Sequence, residues 1–549
     1  MVRFDLLCVG RIATGCLLAF GAILSGNPVH AQTPPPPWSF AGADLDDTHG
    51  MLSVEANITS PTQINPHTAK SLALLWSYET KGNVSATPTV EQGGLYVPDW
   101  AGMLYKLNPA TGALIWSDQL STFTGVNTVA RTSPAIGTNL IVIGDNNQHG
   151  GATPGARVIG INKTTGAKAW ITIVDPSPDA YITSSPVIYD NMVFIGTVSD
   201  EEELANAGPT FTPTFRGSMT ALNVNTGAVV WKFYNVPLGY SGGGSMGSSP
   251  VMWTTDHYLI YGTGDNYALP AAVEPCVQAA GTNKAAQLAC LPPNDYVDSL
   301  IALDVYNGTL VWSRQMDGAD GWNFACNSGA AEPGNCPDPE GPDADFASAP
   351  NVIWSPTFSG VPDDRGGTSA NFILGAGEKS STYWALNPAN GGLFWSTSVG
   401  RGGIQWGSAT DLDDHNMVFV ALNNQAHYTN TLAGRGGVPV TWAGGAWGAL
   451  NIVTGAMVWQ IPSIGKDLTT PANDSYAEGG MSFSNRVVFA GSSSGYFAAL
   501  DANSGLTYWT FNSGNVVGGS PAIFNETLYW GTGYKASVGA TMLYAFSVP

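Results

Sequence analysis

The chain has 549 residues, of which 11% are charged, and a formal net charge of -21. With only 20 Lys and Arg in all it cannot line a phosphate backbone or an anionic bilayer, which excludes nucleic-acid partners and charge-driven membrane attachment. Its 67 glycines and 11% aromatic residues exclude a disordered chain and suit many short strands joined by tight turns.

In chain order, Arg3 and Arg11 precede an apolar stretch, residues 12–23, and the small-residue pattern of Val29-His30-Ala31 follows. Residues 1–31 therefore read as a signal peptide cleaved near Ala31, and the mature protein is expected to be secreted or periplasmic. No later segment reaches the ~20 apolar residues of a membrane helix, so no membrane insertion is expected. Residues 32–37 form a Pro-rich leader, stiff in the polyproline II conformation. Residues 38–549 are expected to fold as one domain, because a single repeat runs through them.

That repeat is an Asn or Asp, a Gly four residues on, and a Trp four residues beyond the Gly. It occurs as Asn108-Gly112-Trp116, Asn162-Gly166-Trp170, Asn223-Gly227-Trp231, Asp304-Gly308-Trp312, Asn387-Gly391-Trp395, Asn451-Gly455-Trp459 and Asp501-Gly505-Trp509. The acid or amide turns the chain, the glycine tolerates positive φ, and the indole is a plate that can pack on a neighbouring repeat. Between copies stand a Ser-Pro or Thr-Pro pair, an apolar strand ending in Gly and a second apolar strand, as in Ser133-Pro134 with Leu140 to Gly144 and Ser249-Pro250 with Tyr258 to Gly262. Four short strands per repeat make a propeller blade.

An eighth copy is split between the termini, with Trp76 near the start and Met542 to Phe546 at the end. The predicted fold is all-β: an eight-bladed β-propeller of four-stranded antiparallel blades, its ring closed by strands from both ends so that no sheet edge is left open. The tryptophan spacing widens from 40 residues between Trp76 and Trp116 to 81 and 83 around Trp312. The excess falls in residues 196–217, 262–298 and 313–350, long loops on a rigid scaffold where sites are built. Cys276, Cys290, Cys326 and Cys336 lie in them. In an oxidising compartment, proximity favours the pairs 276–290 and 326–336, while no CxxC with a nearby His completes a zinc set.

No metalloprotease or nucleotide-binding motif is present, no Gly-x-Ser-x-Gly stands in the strand-turn-helix context of a nucleophile elbow, and without Cys-x-x-Cys-His no haem c is expected on this chain. What remains are carboxylates that follow two strand ends, Asp200-Glu201-Glu202-Glu203 and Gly262-Thr263-Gly264-Asp265-Asn266. Hard oxygen ligands of this kind suit Ca²⁺; a solvated acidic loop is the bland alternative.

The Asn/Asp-Gly-Trp repeat resembles the tryptophan-docking motif of the quinoprotein alcohol dehydrogenases, particularly the polyvinyl-alcohol dehydrogenase-like proteins. Phe215-Arg216-Gly217-Ser218, Asp298 to Asp304, Asn335 to Asp343 and Gly403 to Asp411 carry the same likeness. The resemblance implies an oxidoreductase that uses pyrroloquinoline quinone and Ca²⁺ to oxidise an alcohol, secondary and polymeric alcohols included, and passes electrons to a separate acceptor such as a cytochrome c. It puts the metal on Glu201 and Asp265, and the cofactor among Arg131, Thr183, Met246, Lys379 and Trp406. Met246 stands where relatives have the Trp floor of the quinone pocket, and Asn323 where they have the catalytic Asp, which leaves Asp320 as the expected base. Two alternatives stay open: a propeller that has lost the cofactor and serves as a binding or assembly scaffold, and a glycan-active propeller, which needs two carboxylates about 5 to 9 Å apart.

Overall fold

A computed structural model describes residues 36–51, 60–146, 155–245, 249–339, 341, 343–534 and 538–549. The signal segment, most of the Pro-rich leader and Met246 lie outside the described residues.

Eight four-stranded antiparallel sheets are formed, one per repeat. Blade 1 consists of Thr89–Glu91, Gly94–Pro98, Met103–Leu107 and Leu114–Gln119, and blade 4 of Val251–Trp253, Tyr258–Gly262, Ser299–Asp304 and Leu310–Gln315. In blade 8, Ala73–Glu79 from near the start of the chain pairs with Met542–Ser547 from its end, in a register that sets Trp76 opposite Ala545. Second strands such as Gly94–Pro98, Leu140–Gly144 and Met192–Gly196 are buried along their whole length, which is why they read as continuous apolar runs.

The repeat works as a joint between blades. In each copy the Asn or Asp side chain accepts from the backbone N–H two or three residues on, as Asn162 does from Thr164 and Thr165. From Trp76 to Trp459 the indole N–H of the repeat Trp donates into the turn of the next copy: Trp76 to Pro109, Trp170 to Val224, Trp312 to Pro388 and Trp459 to Ala502, at 2.8 to 3.0 Å. The same ring lies against the positive-φ glycine of that turn.

Residues 36–51 plug the ring axis. Their backbone bonds the first strands of six blades, through Val90, Ile136, Met252, Val352, Thr410 and Phe483, which ties parts of the chain far apart in sequence to one segment. The long loops are pinned by the disulfides Cys276–Cys290 and Cys326–Cys336, as the spacing predicts. Among the described residues no helix is long and apolar enough to cross a membrane.

Candidate functional site

Three consecutive blades place charged residues just past the glycine that ends their second strand: Glu201 and Glu202 after Gly196, Asp265 after Gly262, and Lys379 after Gly377. The glycine is required where the connecting chain crosses closely: a Cβ at Gly262 would lie 2.4 Å from the Cβ of Phe346. That crossing brings Asp343 and Asp345 in beside Asp265.

One carboxylate oxygen from each of Asp265, Asp343 and Asp345 lies within 4.8 Å of the others. The Lys379 ammonium bonds Asp343 at 2.7 Å and also Asp345, while the other Asp345 oxygen accepts from the Asp265 N–H at 2.9 Å. Asp265 is 1% exposed, and its Oδ2 has no hydrogen-bond partner among the described residues. Burial and the neighbouring Asp345 and Glu202 carboxylates push its carboxyl well above the usual range. Burial acts against the charge on Lys379, but Asp343 and Asp345 outweigh it and hold the ammonium well above its ordinary pKa. A buried cluster with more carboxylates than cations is a site that favours a further cation.

Above the cluster opens a cavity of about 230 Å³ whose wall includes Arg131, Thr183, Glu202, Trp322, Lys379 and Trp406. Arg131 stands at one part of this wall, its guanidinium 5.2 Å from the Trp100 ring centroid, 5.7 Å from Tyr534 and 6.0 Å from Trp406. Lys379 stands at another, 6.0 Å over Trp322. Two cations and flat aromatic walls match a planar, polyanionic ring compound. Of the residues the sequence pointed to, Arg131, Thr183, Lys379 and Trp406 thus share one cavity, with Asp265 in the carboxylate cluster beside it.

Glu201 and Asp320 are placed differently. The Glu201 carboxylate accepts from the N–H groups of Thr214 and Phe215 and from the Thr214 hydroxyl, closing its own loop; the neighbouring Glu202 lines the cavity. Asp320 is fully buried, absent from the cavity wall, and accepts from the Ala344 N–H at 2.9 Å. Burial pushes the carboxyls of both Asp320 and its neighbour Asp298 well above the usual range. From behind, Asp320 therefore fixes the backbone between Asp343 and Asp345.

Asp343 faces the cavity with a side chain 32% exposed. The protein around it pushes its carboxyl up to about 6 against the opposing pull of Lys379. No role is assigned to Asp343-Ala344-Asp345 from sequence alone, although Asp343 closes the stretch from Asn335 that carries the family likeness and a second carboxylate follows it two residues on. Asn323 is structural: its amide donates to the carbonyls of Tyr267 and Asn335, and its Oδ1 accepts from Ala325, holding the turn that begins the disulfide loop.

A family model described as outer membrane protein assembly factor BamB matches residues 62–207. Polyvinylalcohol dehydrogenase of Sphingopyxis sp. (strain 113P3) is 25% identical over 466 residues, which cover 81% of this chain and 63% of that protein. Quinohemoprotein alcohol dehydrogenase ADH IIB of Pseudomonas putida is 25% identical over 295 residues, covering 50% of this chain and 40% of the relative. The chain thus spans less than two thirds of the length of these relatives. In structure, quinohemoprotein alcohol dehydrogenase ADHIIG from Pseudomonas putida HK5 superposes with a TM-score of 0.66 at 17% identity, over 94% of this chain and 80% of the other, which shows the shared fold. By its sequence relatives and its docking repeat, the chain is a relative of the quinoprotein alcohol dehydrogenases.

Proposed function

We propose that the protein is an exported dehydrogenase that oxidises an alcohol with pyrroloquinoline quinone and Ca²⁺. The observation that carries this reading is Lys379, ion-paired to Asp343 and Asp345 at the edge of a cavity with aromatic walls and a second cation, Arg131. The donor set fits both groups. Glu202, Asp265 and Asp345 supply hard oxygens for the metal, including the unpartnered Asp265 Oδ2. Arg131, Thr183 and Lys379 supply polar and cationic partners for a polyacid, and Trp322 and Trp406 supply apolar faces.

When bound, pyrroloquinoline quinone would supply a two-electron acceptor for the alcohol, and Ca²⁺ a Lewis acid beside it. The chain's own part is to bind, orient and move protons. Asp343 is the carboxylate open to the cavity, with a pKa of about 6, and takes the substrate hydroxyl proton at its carboxylate oxygen. Lys379 holds that carboxylate in place and balances the charge beneath it. Asp320 fixes the segment through Ala344. The signal segment supports export, and electrons pass to a separate acceptor such as a cytochrome c.

Reconstitution tests this. Adding pyrroloquinoline quinone with Ca²⁺ to purified protein should give the quinone absorbance, raise the melting temperature and permit alcohol-dependent dye reduction. No uptake at micromolar cofactor would sink the reading and favour the scaffold alternative.

A further inference from the structure

The Ser-Pro pairs that open the blades have a role beyond starting a strand. Ser133, Ser185, Ser249 and Ser520 face the ring axis together with Gly407 and Gly480 of blades 6 and 7, whose first strands are Ala409–Thr410 and Ser482–Ser484, and enclose a chamber of about 60 Å³. Arg131, Thr183, Trp406 and Tyr534 line both this chamber and the candidate cofactor cavity, so the two adjoin. Asp47 and His49 of the axial plug complete the chamber. The plug bonds Ile136, Met252, Thr410 and Phe483, each three residues further along its blade than Ser133, Ser249, Gly407 and Gly480. Three residues of strand amount to about 10 Å, so the plug lies on the side of the ring away from the cavity.

This chamber is polar and incompletely satisfied. Asp47 is 1% exposed and His49 4%. Their one mutual contact is Nε2 to Oδ2 at 3.4 Å. Among the described residues, both Asp47 carboxylate oxygens, His49 Nδ1, Ser249 Oγ and Trp406 Nε1 have no hydrogen-bond partner. Space for His49 exists because blade 6 has a glycine here: a Cβ on Gly407 would lie 2.1 Å from Nε2. A water needs about 10 to 15 Å³ of such space and two to four polar partners. Those conditions are met several times over.

We propose that the propeller axis is a proton conduit, in which water in the Ser-Pro chamber links the cofactor cavity to His49, His49 relays to Asp47, and Asp46 and Asp44 hand the proton to solvent on the opposite face. It rests on the dehydrogenase reading. Oxidation of one alcohol to a carbonyl gives two protons and two electrons; the electrons leave by the cytochrome-type acceptor, and the protons need a route that does not cross the substrate. His49 takes a proton at Nδ1 from the chamber and yields one at Nε2 to Asp47. Asp46 is half-buried and Asp44 exposed, and Asp44 Oδ1 accepts from the Asp46 N–H at 3.1 Å, so these two acids lead from the buried Asp47 out to solvent. Beyond these acids, Arg131, Tyr534 and Tyr383 are the titratable groups that face the pair from the blades.

Two measurements test the conduit. A high-resolution crystal structure should show ordered water within hydrogen-bond reach of His49 Nδ1 and Asp47. In the reconstituted holoenzyme, His49→Gln and Asp47→Asn should lower kcat tenfold or more at saturating acceptor and alter its pH profile and solvent isotope effect. The alcohol kcat/KM should stay within about twofold, and added imidazole should restore kcat in the His49→Gln variant. A dry chamber, or variants that turn over with unchanged kcat, pH profile and isotope effect, overturns the conduit alone. Failure of the wild-type protein to take up cofactor removes the dehydrogenase reading and the conduit with it.

Discussion

The indole N–H of Trp231 donates to the carbonyl of Val305 at 2.8 Å, and the same ring lies under Gly308, where a Cβ would fall 2.6 Å from its atoms. Trp231 thus supplies a hydrogen bond to Val305 and a ring contact on Gly308 across one blade joint, where the Gly308 backbone is itself constrained at φ +69°. Gly308→Ala should destabilise the protein by about 2 to 4 kcal/mol, combining overpacking with left-handed strain. Denaturant unfolding should show a lower midpoint. A variant as stable as wild type would mean the docking joint is loose.

Glu201 and Glu202 are adjacent in sequence and differ in what they touch. Glu201→Gln replaces an acceptor of three hydrogen bonds and should lower thermal stability while Ca²⁺ affinity changes little. Glu202→Gln removes a carboxylate from the cavity wall and should weaken Ca²⁺ binding tenfold or more at nearly unchanged stability. Calorimetric titration of both variants decides the assignment, and the reverse pattern would return the metal to Glu201.

Lys379→Met leaves Asp343 and Asp345 without their shared cation. Alcohol oxidation should fall at least a hundredfold, since the base is no longer held in place. Lys379→Arg should recover part of that loss. The kcat of both variants, measured at saturating cofactor, checks this.

What the sequence made legible follows from how local each cause is. Asn162, Gly166 and Trp170 act over nine residues, so their spacing alone exposes the blades, the turn geometry and the joints. Leu140–Gly144 and Met192–Gly196 matched their apolar runs for the same reason. Arg131, Thr183, Lys379 and Trp406 could be picked out only through resemblance, and they do meet in one cavity. The choice between Glu201 and Glu202 depended on which carboxylate the amides of Thr214 and Phe215 capture, a contact thirteen and fourteen residues away. Asp343 was obscured by the loop that separates it from Trp322, and the axial plug by having no repeat at all.

Asn323→Asp tests whether Asn323 marks a lost base or a structural amide. If Asn323 were a base lost by substitution, an aspartate there should raise activity. Its amide instead donates to two carbonyls, Tyr267 at 2.8 Å and Asn335 at 3.0 Å, and a carboxylate would face both as an acceptor. A loss of about 2 to 4 kcal/mol of stability with no gain in alcohol oxidation is expected. Unfolding curves and dye-linked assays on the same preparation distinguish the two accounts.

Asp295, whose carboxylate accepts from the amide of Asn266 beside Asp265, makes the pH dependence of stability testable. It is 2% exposed, and burial, partly offset by the amide of Asn266, raises its carboxyl to about 7. The folded state therefore binds a proton that the unfolded chain, with its ordinary carboxyl near 3.8, releases first. The resulting stabilisation is complete below the unfolded value and is lost as pH rises through the folded one. Between pH 5 and pH 8 the wild type should lose about 3 kcal/mol more than Asp295→Asn, whose amide carries no charge at either pH. Parallel pH profiles for the two proteins would show that Asp295 keeps its ordinary ionisation in the fold.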